Sequence, residues 1–293
     1  MVEIFLLQVL NSLFYASVLF LLAAGLSLIF GVMGIINLAH GSLYAVGAYV
    51  TAWAVTATAA ELHPVALFLF LPVGALAVAA IGTVIEPTVI RPMYTRPEEY
   101  QLLITFGLLL VLEDLIRLVW GGTPMSASPL IDAVGIIRAG DFVYPGYNLL
   151  VIAIGIAAAI GLWAFVYRTR FGVFLRATSQ NRRMASALGL NVGRVYIQAF
   201  GLGCFMAGLG GAIVVPSQAA VLGMGVEVLV LAFVVVVIGG LGSLEGALIG
   251  ALIVAFVRTI VIQFYEELEL AVLYLIAAAV LLWRPTGMFG RAS

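Results

Sequence analysis

Nine apolar runs of roughly bilayer length organise this chain: 8–31, 37–59, 64–85, 101–120, 148–167, 195–215, 227–241, 246–265 and 268–283. A helix rises about 1.5 Å per residue, so roughly 20 apolar residues cross the hydrocarbon core. No water-soluble globule hides that much apolar surface. Only 9% of the 293 residues are charged, against about a quarter in soluble domains. The expected fold is all-α: a polytopic helical membrane protein of about 8–10 transmembrane segments, with 1–293 as one transmembrane domain. Runs 37–59 and 227–241 adjoin Gly-rich stretches and read as broken or re-entrant pieces.

Several chemistries are excluded. The chain has no lysine, so it lacks the Gly-Lys-Ser/Thr end with which phosphate-binding loops hold nucleotides. If ATP drives its work, a partner hydrolyses it. One cysteine, Cys204, permits neither an internal disulfide nor a cysteine-based metal site. His40 and Ser42 lie two apart and point in different directions on a helix, and neither His40 nor His63 has an acidic neighbour in sequence. No enzyme constellation, metal site or cofactor is expected. The N-terminus MVEIFLLQVLNSLFYASVLF lacks the positive start of a secretory signal and reads as the approach to a retained first span.

Arginine placement sets the expected orientation. Arg168, Arg170, Arg176, Arg182, Arg183 and Arg194 crowd loop 168–194, and no acidic residue falls between Asp141 and Glu227. That loop, loop 86–100 with Arg91 and Arg96, and the C-terminus with Arg284 and Arg291 are expected in the cytoplasm. Loop 121–147, with Asp132, Asp141 and Arg138, falls outside, as does the N-terminus. Loop 121–147 is either a plain connector or a docking surface for an external partner.

Within RTRFGVFLRATSQNRRMASALGLNVGR, residues 176–188 are expected to form one short helix. Ala177, Met184, Ala185, Ala187 and Leu188 lie on or near one apolar side, Arg182 and Arg183 at its middle, and Gly189 breaks it. An arginine-rich helix can lie on anionic headgroups, but this apolar side is small and Ala-rich, suited to a shallow groove on another protein.

The run RATSQNRRMASALGLNVGRVYIQAF resembles the cytoplasmic coupling segment of permeases in the branched-chain amino acid ABC importer family. GLSLIFGVMGIINLAHGSLYAVGAY is similar to that family's early signature, VVVVIGGLGSLEGALIGALIV to its late Gly-rich motif, and WRPTGMFG to its C-terminal ending. The four occur in the family's order. The resemblance implies an inner-membrane permease of a bacterium or archaeon. It would pair with a second related permease, two cytoplasmic ABC ATPase subunits and an extracytoplasmic substrate-binding protein, within membrane lipid and without nucleic acid. By the same resemblance, 168–194 is a coupling loop, with Arg176, Gln180, Asn181, Arg182, Arg183 and Gly189 facing an ATPase.

Gly242, Gly246 and Gly250 recur every fourth residue, as do Gly203, Ala207 and Gly211. Small-xxx-small faces let membrane helices approach closely, so both sets are expected at helix packing seams. Gly41-Ser42-Leu43 and Gly242-Ser243-Leu244 hint at an internal repeat.

Polar residues at membrane depth are the remaining candidates. With a helix beginning after Gly34, Asn37 and His40 share a face and Tyr44 continues near His40. Ser217 and Gln218 follow Pro216, where a regular helix cannot continue. Asn37, His40, Ser42, Tyr44, Ser217, Gln218 and Ser243 are the candidate lining of a substrate path. Glu113 and Asp114 precede Arg117 by four and three residues and can pair with it along one helix. Arg258 needs a partner from another helix or access to water. The expected function is an importer permease for branched-chain or related amino acids, working by alternating access. Urea, amides or aromatic acids are alternative substrates. A stand-alone carrier or channel is disfavoured because the late carboxylates, Glu227 and Glu245, adjoin span ends.

Overall fold

The computed structural model describes residues 2–139, 142–284 and 286–290. Asp141, Pro285 and Arg291, used in the sequence reading, lie outside them. Nine helices of 15 residues or more follow the nine apolar runs, among the described residues: α1 (Val2–Met33), α2 (His40–Thr58), α3 (Phe70–Ile85), α4 (Glu98–Trp120), α6 (Gly146–Arg168), α9 (Val192–Val214), α10 (Met224–Gly239), α11 (Leu244–Tyr265) and α12 (Glu269–Trp283). Short helices α5 (Pro129–Val134), α7 (Arg170–Gln180) and α8 (Arg182–Ala187) and the hairpin β1 (Ile136–Ala139) with β2 (Phe142–Pro145) complete the order. Among the described residues, five helical segments are long and apolar enough to cross a membrane, whereas α10 has only 16 residues and α12 only 15.

The core forms where α1, α2, α3 and α9 pack together. Glycine makes the close approaches possible. Gly47 and Gly208 touch backbone to backbone, so do Gly211 and the Tyr44 carbonyl, and Gly82 meets the Cys204 side chain. In lipid the apolar surroundings give no hydrophobic drive between helices, so such van der Waals seams carry the association. Gly203 lies against Ile29 and the Gly25 carbonyl of α1, and Ala207 between them is fully buried. Gly246 and Gly250 of α11 lie against Gly239 and Val235 of α10. Gly242 does not share their face. It precedes α11 with φ +79° and rests on Gly31 of α1, because the turn into α11 requires a left-handed residue there.

Run 37–59 does not cross the full depth as a helix. Gly34 (φ +70°) stops α1, and residues 34–39 double back alongside it. His40, the first residue of α2, bonds through Nε2 to the Leu22 carbonyl at 3.1 Å. Leu22 stands 11 residues before the end of α1, which places the start of α2 about 16 Å along α1 from that end. Backbone groups at that depth need protein partners. The Asn37 side chain accepts from Ala39 N at 3.1 Å, and Thr105 Oγ1 donates to the Ile36 carbonyl at 3.4 Å. Asn37 therefore precedes the helix and does not share a helix face with His40.

From that level α2 runs parallel to α4. Ser42 meets Glu113 and, seven residues on, the Tyr49 and Trp120 rings lie 5.6 Å apart. The arginine-rich segment, the start of α11 and the C-terminal residues 286–290 gather at the opposite end, called the loop end below. There Met288 N and Phe289 N bond to the Ile238 and Gly239 carbonyls.

Candidate functional site

Two regions stand out. The first is where the first turns of α2 and α10 meet. Gly223, in the left-handed region (φ +84°), starts α10, which then runs toward the loop end while α2 runs away from it. The two starts touch at Gly41 and Gly225: a Cβ added to Gly225 would lie 2.5 Å from the Gly41 oxygen. Between them sits the Glu113 carboxylate of α4. Its Oε1 accepts from Ser42 Oγ at 3.1 Å and its Oε2 from Gly223 N at 3.2 Å. A carboxylate is favoured here because helix N-termini present unpaired N–H groups and a partial positive charge.

Glu113 is thus a correction to the sequence reading, which paired it with Arg117 along one helix. The ion pairs among the described residues are Arg91–Glu86 and Arg258–Glu269. Tertiary contact with two other helices offers Glu113 a hydroxyl and an N-terminal N–H, and those outweigh an exposed pairing worth a few tenths of a kcal/mol. Of the two alternatives open to Arg258, a partner from another helix or access to water, the structure supplies the partner. Its Nε lies 2.5 Å from Glu269 Oε1, and its guanidinium sits 4.5 Å over the Tyr15 ring.

The other path candidates do not form one cluster. Asn37, His40, Ser42 and Tyr44 are all buried inside the chain, each at most 1% exposed, and Asn37 Nδ2 and His40 Nδ1 have no hydrogen-bond partner. Ser217 and Gln218 are exposed in the turn after α9, bonding Asn148 and the Tyr15 hydroxyl. Ser243 lies at the loop end, where its Oγ caps α11 by accepting from Gly246 N at 3.0 Å. Ser42 bonds a side chain instead of a backbone N–H, so the Gly-Ser-Leu pair plays two different local roles.

The second region is the arginine-rich segment. It is not one helix over 176–188. Helix α7 ends at Gln180, and Asn181 turns out into an extended conformation whose side chain accepts from Met184 N at 2.9 Å, starting α8. Asparagine competes well for its own backbone at such a position. Arg182 therefore opens α8 rather than lying mid-helix. The end of α8 is a glycine-closed cap: Leu190 N bonds the Ala185 carbonyl and Gly189 N the Ser186 carbonyl, with Gly189 at φ +85°. Gln180 and Arg183 are exposed, and α8 and its cap leave Met184 57% and Leu188 76% exposed.

Beneath α8 lies a network that the sequence reading missed. Glu86 is fully buried. Arg91 Nη2 donates to it at 2.7 Å and the Tyr94 hydroxyl at 2.5 Å. The Tyr94 and Tyr196 rings meet edge to face at 5.0 Å, and the Arg182 guanidinium stands 5.6 Å and 5.5 Å from their centroids. Arg91 also donates to the Gly193 carbonyl at 3.4 Å. Burial, then the hydrogen bond to the Glu86 carboxylate, pushes the Tyr94 phenol above its usual range. One chain of contacts therefore joins α8, the end of α3 and the start of α9. The available signal was an acid directly after an apolar run, Glu86, with Arg91 five residues on.

Among the described residues no group of three His, Cys, Asp or Glu side chains could hold a metal ion. No solved structure matches the chain. The chain is 26% identical over 303 residues to the high-affinity branched-chain amino acid transport system permease protein BraD of Pseudomonas aeruginosa, covering 98% of this chain and 96% of that protein. It is 28% identical over 301 residues to the corresponding permease protein LivH of Escherichia coli (strain K12), with the same coverage. Residues 8–281 match the family described as branched-chain amino acid transport system permease component, and with most of its length so matched, this chain belongs to that family of membrane permeases.

Proposed function

We propose that this chain forms the translocation path of an ATP-driven importer for branched-chain or closely related amino acids. The observation that carries the reading is the Glu113 carboxylate held between the first turns of α2 and α10. Discontinuous helices whose N-termini converge at mid-depth are a recurring way to hold a charged substrate in a membrane. At this junction the two N-termini already hold the Glu113 carboxylate, and Glu113, partly exposed, offers an acceptor to a substrate ammonium. Ser42 borders the junction. Asn37, His40 and Tyr44 form its packed backing, and Ser217 and Gln218 border its approach from the end opposite the loop.

The relatives' names support a transport permease, and the family resemblance supplies its partners. These are a second permease copy or relative, two ATPases at the loop end, and a substrate-binding protein at the other. The loop end is taken as cytoplasmic and ATP hydrolysis as belonging to the ATPases. In this reading Met184, Leu188 and Arg183 meet the ATPase, Arg176, Gln180 and Asn181 shape the coupling segment, and Gly189 fixes its end. The Tyr94–Arg182–Tyr196 stack passes its motion to α3 and α9, and alternating access follows.

The test is ATP-driven leucine uptake in proteoliposomes containing this chain, its paired permease and ATPases, and the binding protein. Glu113→Gln should lower the uptake rate at least tenfold while the complex still assembles. Leucine uptake by this chain without any ATPase, or full uptake in Glu113→Gln, would sink the proposal.

A further inference from the structure

A cavity of about 530 Å³ opens at the loop end, where α1, α7 and the start of α11 converge. Pockets of this size suit small ligands. Its wall carries one cation and one anion that form no ion pair with each other. Arg176 of α7 stands 5.2 Å over the Tyr167 ring, and its Nη1 is fixed on the Val166 carbonyl. Glu245 of α11 accepts from the Tyr167 hydroxyl at 2.8 Å. The two ion pairs among the described residues involve neither Arg176 nor Glu245, so Tyr167 holds both charges in place and apart. The remaining wall is largely apolar, including Phe30, Leu241 and Phe289. Ser27 and Ser179 donate their hydroxyl protons to the Ser243 and Arg176 carbonyls, and Ser243 Oγ accepts from Gly246 N.

A fixed guanidinium, a separate fixed carboxylate and an apolar wall together select a small zwitterion with an apolar side chain. We propose that this cavity binds a free α-amino acid of that kind, its carboxylate on Arg176 and its ammonium on Glu245. Such a ligand ties α7 to α11, since Arg176 and Glu245 come from those two elements. Binding therefore restrains the arginine-rich segment. In the importer reading above, on which this second half rests, accumulated amino acid at the loop end slows further uptake. The site is separate from the Glu113 junction.

The binding half is tested on the chain alone in nanodiscs, by scintillation proximity with radiolabelled leucine, in the Glu113→Gln background so that only the loop-end site is read. Leucinamide, which lacks the carboxylate, and 4-methylpentanoate, which lacks the ammonium, should compete at least tenfold more weakly than leucine. Glu245→Gln should weaken leucine at least tenfold, and Glu245→Asp should restore part of the loss. Equal competition by leucinamide, or unchanged affinity in Glu245→Gln, overturns the site. The regulatory half is read in the assembled transporter. Leucine preloaded on the loop side should slow uptake at least several-fold in the parent and not in Glu245→Gln. Equal slowing in both overturns it. The binding arm needs no ATPase, so it reads out even if the importer reading fails.

Discussion

Gly225→Ala places a methyl group between the starts of α2 and α10. The new Cβ would lie 2.5 Å from the Gly41 oxygen, 2.7 Å from its carbonyl carbon and 3.0 Å from Ser42 N. All three are backbone atoms, so no rotamer change can relieve them. The helices must part by about 1 Å, and overpacking of this kind costs about 1–3 kcal/mol. The bonds from Gly223 N and Ser42 to Glu113 span the same gap, and lengthening them forfeits about 1 kcal/mol more. A total near 3 kcal/mol corresponds to a melting midpoint lower by about 6–12 °C, at 2–4 °C per kcal/mol for a domain of this order of size. Gly107→Ala is the control. It sits in α4 with nothing within 4 Å of its added Cβ, so the helix gains about 0.5–1 kcal/mol. The assay is the fraction remaining monodisperse after graded heating, read by size-exclusion chromatography in detergent. The two alanines should move the midpoint in opposite directions. If Gly225→Ala melts with the parent, the two helix starts are not in contact and the junction drawn here is wrong.

Two further outcomes follow from burial. Arg91→Ala removes one donor from the fully buried Glu86. Breaking a buried pair costs about 3–5 kcal/mol, and because Tyr94 still donates and Arg91 is 40% exposed, about 2–3 kcal/mol is expected here. Glu86→Gln with Arg91→Ala should recover part of that loss in the same melting assay; if it recovers none, the charge of Glu86 is not the cause. Cys204 is fully buried against Gly82, so a maleimide should label it only after denaturation. Labelling of the native protein at the rate of the denatured one would contradict the α3–α9 packing.

The apolar runs were legible because their periods and lengths are local properties, and the nine runs became the nine long helices. The helix stops at Gly34 and Gly189 were legible for the same reason, since a left-handed turn selects glycine. What failed was side-chain partnership. Glu113 and Arg117 stand four apart, and helical spacing alone pairs them; three helices meeting at Ser42 and Gly223 redirected the carboxylate. Glu86 and Arg91 stand five apart, a spacing an α-helix does not bring to one face. A π-turn over Glu86–Ile90 does so. Asn181 split the expected helix 176–188 because its side chain found Met184 N, a choice between two local bonds that composition does not decide.

Residue order alone dictates a lysine-free, mostly apolar helical chain that sits in lipid, breaks at glycines and carries six of its 13 arginines in one segment. Solvent transfer and backbone sterics act residue by residue, and they leave that imprint directly in the order of amino acids. Packing in three dimensions adds that α2 starts about 16 Å inside the bundle, that its first turn meets that of α10 across Glu113, and that Arg176 and Glu245 share one wall without pairing. Those arrangements depend on which backbones approach one another in three dimensions. Close approach is set by the joint shape of several helices, and no single stretch of sequence encodes it.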